Sequence, residues 1–175
     1  MTAHEIFAQL SDRMVGAMMT HTQLTELFTF LDLTADVKRQ KKQLHEETDG
    51  LLKLEKYFAQ HHHMLITSEN PPKVDILNVV MLKDENSKLS PDDRIYLIQY
   101  GMKEWIKWEE QSKIMYEDAY RNLIDISEVA AAEFVMQYVK DVDKELRNAE
   151  FLYRTRDAID WDLATIYDKQ ARLSM

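Results

Sequence analysis

The chain has 175 residues, 45% of them hydrophobic and 30% charged, with ten methionines, three glycines and three prolines. That is one domain's worth of chain with enough apolar material for a core, and too few turn residues for an all-β domain. A net charge of −9 argues against nucleic acid or an anionic membrane as the main partner, and zero cysteines exclude disulfides and thiolate chemistry.

At the N-terminus, Met1-Thr2-Ala3-His4-Glu5 has neither the basic nor the apolar stretch of a secretory leader, and no apolar run reaches membrane-spanning length. A soluble, unprocessed, cytoplasmic chain is expected. Thr2 and Glu5 make the capping box T-x-x-E that starts a first helix. Its apolar stripe runs Phe7, Leu10, Met14, Ala17, His21, Leu24, Phe28, Leu31, alternating steps of three and four. A tight connection at Leu31–Thr34 follows, with Thr34 as the predicted N-cap of a second helix. That stripe runs Val37, Gln40, Leu44, Glu47, Leu51, Leu54, Phe58, His61, Leu65, up to a stop at Asn70-Pro71-Pro72. So short a connection makes the two helices antiparallel.

Residues 66–90 read as a long crossover with one apolar patch, Val74 to Leu82. Ser90-Pro91-Asp92-Asp93 then opens a third helix with a Ser cap, Pro in the first turn and acids beside it. Its stripe is Ile95, Ile98, Met102, Trp105, Glu109, Ser112, Tyr116, Ala119, Leu123. After a short turn at Asp125–Glu128, with a further capping signature, a fourth helix carries Val135, Tyr138, Val142, Glu145, Ala149 and Leu152. The same register continues through Ile159, Leu163 and Ile166, so this helix either runs on or bends near Asp157–Asp160 into a short fifth. The predicted organisation is one domain over 1–175: a hairpin at 3–65, a crossover at 66–90, a hairpin at 91–155 and an extension at 156–173. A single long crossover between two hairpins is one of the known four-helix-bundle topologies. If the fourth helix ran on, its apolar overhang would need a second copy of the chain, so a homo-oligomer, most simply a dimer, is expected.

Four stripe positions near mid-helix are polar: His21, Glu47, Glu109 and Glu145, with Asp141 one turn before the last. His21 and Glu47 lie equally far from Thr34, which predicts that they are neighbours inside the bundle. Buried carboxylates need partners or a metal. His21, Glu47, Glu109, Asp141 and Glu145 are therefore candidate metal ligands, or a polar layer whose members pair among themselves. Gly16, Gly50 and Gly101 all fall inside predicted helices, where close helix approach or simple tolerance would account for them. His61, His62 and His63 are consecutive, so they point in three directions and cannot converge on one ion. Trp105 and Trp108, with Tyr100 and Tyr116, read as core. The chain has no Gly-rich phosphate loop, zinc spacing or nucleophile elbow.

These features resemble the ferritin-like superfamily, most visibly in Thr29-Phe30-Leu31-Asp32-Leu33 and in His45-Glu46-Glu47-Thr48-Asp49-Gly50-Leu51-Leu52. The resemblance implies an all-α, ferritin-like four-helix bundle with one long crossover. It also implies where di-iron ligands would fall. Glu47 matches the glutamate of the second helix, but the histidine three residues on is Gly50 here, and the first-helix glutamate falls near Gly16. Glu109 or Glu110 matches the third-helix ligand, and Asp141 or Glu145 the fourth. With Glu-x-x-His absent, the resemblance implies the fold without ferroxidase or oxidase activity. No cofactor is expected. The leading reading is a non-catalytic bundle acting by self-association or through protein partners. The alternatives are a metal protein built on the five residues above, and a small-molecule binder using the polar layer as a pocket.

Overall fold

The computed structural model describes residues 1–81 and 89–174. Leu82, the end of the expected apolar patch, and crossover residues 83–88 lie outside the described residues. Six helices are described: α1 (Ala3–Phe30), α2 (Thr34–His62), the single turn α3 (Asn78–Met81), α4 (Pro91–Asp125), α5 (Val129–Asp157) and α6 (Leu163–Ser174). No strand occurs among the described residues. Helix α1 packs along α2, α4 along α5 and α1 against α4, while α6 folds back onto α2.

Two of the predicted starts hold. The Thr2–Glu5 capping box is formed in both directions, at 2.7 and 3.3 Å. Ser90 caps α4 reciprocally with Asp93, with Pro91 in the first turn. The other two predicted caps do not hold. The N-cap of α2 is Leu33, whose apolar side chain cannot accept a hydrogen bond, and Thr34 is already helical. The first amides of α2 are satisfied by a residue far along the chain: Gln170 Oε1 on α6 accepts from Ala35 N at 2.8 Å and Asp36 N at 3.2 Å. Glu128, at the N-cap of α5, makes no side-chain cap bond.

The helix ends explain what the sequence left open. Asp32, Ser127 and Asp160 have φ of 58°, 64° and 49°, the left-handed conformation that reverses a chain just past a helix. Each sits inside paired backbone bonds that satisfy the last carbonyls, as in Leu33 N to Phe28 O (2.9 Å), Glu128 N to Leu123 O (2.8 Å) and Trp161 N to Arg156 O (3.0 Å). The fourth predicted helix therefore bends after Asp157, and Ile166 and Trp161 are buried in the chain's own core. The stripe expected to need a second copy is covered within the chain at Trp161 and Ile166. Helix α2 likewise ends before the prolines, at His62, with His63 left-handed (φ 54°), and Leu65 is 81% exposed rather than on a stripe.

The crossover is pinned onto α1. Asp12 Oδ1 accepts from Ser68 Oγ, Glu69 N and Asn70 N at 2.8–2.9 Å, and Gln23 bridges Val74 O and Ile76 N. Gly16 lets it come close: a Cβ there would lie 2.7 Å from Trp108 Cη2 and 2.9 Å from Pro72 Cγ.

The core has two apolar halves. One holds Phe7, Leu10, Met14, Leu54, Phe58, Tyr116, Val135 and Val142; the other holds Leu24, Phe28, Leu33, Met102, Trp105, Ala149 and Trp161. Full burial of each large side chain stabilises by roughly 1.5–3 kcal/mol. Between the halves every long helix has a gap, from Met14 to Leu24, Val37 to Leu51, Ile106 to Tyr116 and Val142 to Ala149. The polar stripe residues fall in those gaps.

Candidate functional site

On α4, Glu109 is buried and its Oε1 accepts from Trp105 Nε1 at 3.1 Å. Burial raises the Glu109 carboxyl well above its ordinary value, and Glu145 and Glu47 push it the same way. On α1, His21 is fully buried, with Nδ1 2.7 Å from Gln40 Oε1. A carbonyl oxygen accepts, so Nδ1 carries the hydrogen and Nε2 faces Glu109 Oε1 at 3.7 Å. Burial lowers the His21 pKa to about 4, which keeps the ring neutral at pH 7.

The partner of His21 on α2 is thus Gln40, two turns before Glu47. The expected His21–Glu47 pairing placed the hairpin's pivot at Thr34. The turn lies at Asp32, and reflection about that residue sets His21 level with Gln43 instead.

Glu47 and Glu145 are half-buried, facing each other from α2 and α5. Burial, opposed by Arg13 and reinforced by Glu46 and Asp141, raises Glu47 to about 7. Burial, then Glu47, raises Glu145 to about 8. Asp141 is exposed at the rim and accepts from Gln137 Nε2 at 2.9 Å.

Sequence reasoning missed Arg13. Its guanidinium reaches from α1 to α4, where Nε donates to Ser112 Oγ (2.9 Å), Nη2 donates to Trp108 O (2.7 Å), and the plane lies 3.4 Å over the Trp108 ring. Burial lowers its pKa to about 10, so it stays charged at neutral pH beside Glu109 and Glu47. One signal was available: Arg13 stands three residues after Leu10 and four before Ala17, a core spacing occupied by a charge.

The layer opens to the outside on one side. Helices α2 and α5 stand apart, and between them lies a cleft of about 750 Å³. Gln43, Glu47 and Gly50 line it from α2, Phe134, Tyr138 and Glu145 from α5, and Trp105 and Tyr116 from α4. Tyr138 OH spans the gap to Gly50 O at 3.0 Å.

No protein-family model and no curated protein sequence matches the chain. Solved structures do. The chain is similar to a humanized archaeal ferritin at a TM-score of 0.78 and 14% identity, over 99% of this chain and 95% of that one. It is similar to an open-pore ferritin from the hyperthermophilic archaeon Archaeoglobus fulgidus at 0.78 and 12% identity, over the same shares. A ferritin variant soaked in iron matches at 0.74 and 12% identity, over 97% and 96%. The fold is ferritin-like.

The ferritin-like fold raises the question of a metal pair, and the side chains answer poorly to one. Among the described residues no three His, Asp or Glu converge on a point that could hold a metal ion. Gly50 stands where a histidine ligand is expected, a fixed guanidinium already supplies positive charge to the layer, and one Glu109 oxygen is engaged by an indole N–H. The donor set fits a self-compensating polar layer beside a cleft better than a di-metal centre.

Proposed function

We propose that this ferritin-like bundle is non-catalytic and binds a small organic molecule in the α2–α5 cleft. The observation that carries the reading is the cleft itself: about 750 Å³, open at one side, walled by aromatic rings and floored by a few polar groups. Ligand sites have that size and that mixture of surfaces. A screen of small molecules by thermal shift tests it, with Gly50→Leu as the control that puts a side chain into the cleft. Compounds that raise the melting temperature of the parent protein but not of the variant support the reading. A library that stabilises neither, or both equally, removes it.

The rival is a metal site on His21, Glu47, Glu109, Asp141 and Glu145. Three carboxyls in mutual electrostatic contact favour it, and Arg13 beside them opposes it. Metal analysis of untagged protein separates the two: one or more equivalents of metal, lost in Glu47→Ala, would establish the rival.

We also propose that the chain self-associates, most simply as a dimer. Met19, Leu52, Ile114 and Phe151, one on each long helix, are 41%, 60%, 60% and 68% exposed, apolar side chains that a second copy could cover. Light scattering at micromolar concentration decides it, and a mass of 20.7 kDa would mean a monomer.

A further inference from the structure

Resting on the cleft reading above, we propose that the ligand is an organic cation. Its ammonium group would be received by Glu47 and Glu145, and its apolar body held among Trp105, Tyr116, Phe134 and Tyr138.

The inner end of the cleft is rich in acceptors. Two carboxyls approach from opposite helices, Glu47 on α2 and Glu145 on α5. Gln43, which also lines the cleft, is only 8% exposed, and its Oε1 is buried without a hydrogen-bond donor. Buried acceptors left without donors are costly, so a ligand that brings N–H groups gains what a ligand without them cannot.

Among the described residues no ion pair joins Glu47 or Glu145 to a cation, although Lys53 and Lys144 also line the cleft. Arg13 is held on the α1–α4 side by Ser112 and Trp108. Of the four basic residues on the cleft wall, Arg39 is bonded to Asp36 and Lys42 to Glu46 with its side chain 72% exposed, while Lys53 and Lys144 pair with neither carboxyl. An ammonium would add counter-charge on the cleft side, where Arg13 and Lys42 only partly offset the burial of the two carboxyls.

Size and lining narrow the class further. A bare metal ion would fill a small fraction of about 750 Å³, whereas an aryl or alkyl amine fills much more. Aromatic faces attract ammonium groups, and most strongly where water is excluded. A carboxylate or phosphate ligand would bring no counter-charge to Glu47 and Glu145 and would meet like charge wherever they ionise.

The test is isothermal titration of the full chain with phenethylamine, phenethyl alcohol, hydrocinnamate and manganese chloride. The first three present the same ring on a cation, a neutral hydroxyl and an anion. The expected result is that the amine binds at least about tenfold more tightly than the alcohol, as charge-assisted hydrogen bonds imply, and that the anion does not bind. Glu145→Gln should erase that preference while leaving the circular dichroism melt cooperative; Glu47→Gln gives the same readout should the first variant fail to fold. Equal binding of amine and alcohol, both weakened by Gly50→Leu, would overturn the cation assignment and leave the cleft reading standing. Amine binding unchanged in Gly50→Leu, or no binding by any of the three organic probes, would overturn this proposal, and a negative library screen would then remove the cleft reading as well. Stoichiometric manganese that displaces the amine would overturn it in favour of the metal site.

Discussion

At Trp105 a single side chain closes the core and holds the polar layer in place. It is 1% exposed and donates to Glu109, so truncation removes both a large apolar volume and a hydrogen bond. Trp105→Ala should destabilise by roughly 3–5 kcal/mol in urea unfolding. A loss below ~1 kcal/mol would mean that the indole contributes little packing. Gly101 makes the opposite case. A Cβ there would stand 2.8 Å from Leu27 Cδ2 and 2.9 Å from Phe28 Cε1, so Gly101→Ala should destabilise by roughly 1–3 kcal/mol despite its better helix propensity. Residues such as His21 and Glu109 were legible in the sequence because they occupy core spacing while being polar. Arg13 stands at core spacing too, but its partners, like those of Asp36, were not legible, because they lie on other helices far along the chain. Periodicity reports the direction a residue faces on its own helix and nothing about its partner.

Among the elements, α6 acts as a clasp on the start of α2. Asp36 is fully buried and accepts from Arg156, from Arg39 and from Gln170. Removing the carboxylate would leave Arg156 buried without its counter-charge, so Asp36→Ala should destabilise by roughly 3–5 kcal/mol in urea unfolding. Gln170→Ala should act more locally. Losing its cap should cost about 1 kcal/mol and speed hydrogen exchange at the Ala35 and Asp36 amides, with exchange at mid-α2 unchanged. The four long helices and their antiparallel hairpins could be read from stripe spacing and short connections. The bend after Asp157 could not, because Asp160 and Trp161 take left-handed conformations usually given to glycine. Nor could the cap of α2, whose donors and acceptor lie at opposite ends of the chain.

For the whole molecule, the polar layer makes stability depend on pH with a definite sign. Glu47 and Glu145 have folded values of about 7 and 8 against an ordinary 4.5, so the folded state holds protons that the unfolded chain releases. Their contribution is fully present below about 4.5 and is lost as pH rises through 7 and 8. His21, lowered to about 4 from 6.5, behaves oppositely: its contribution is present above 6.5 and fades as pH falls toward 4. The melting temperature should therefore fall between about pH 6 and pH 9, and Glu145→Gln should flatten that fall. A parent protein equally stable at both would show that the carboxyls are ionised in the fold.

The clasp also bears on how the protein is made. Ala35 leaves the ribosome 135 residues ahead of the glutamine that satisfies its amide. The first hairpin can collapse early, but the first amides of α2 stay uncapped until α6 has been synthesised. A product interrupted before α6 would carry a first hairpin whose second helix starts without its cap, while Asp36 would keep Arg39 and Arg156 as partners.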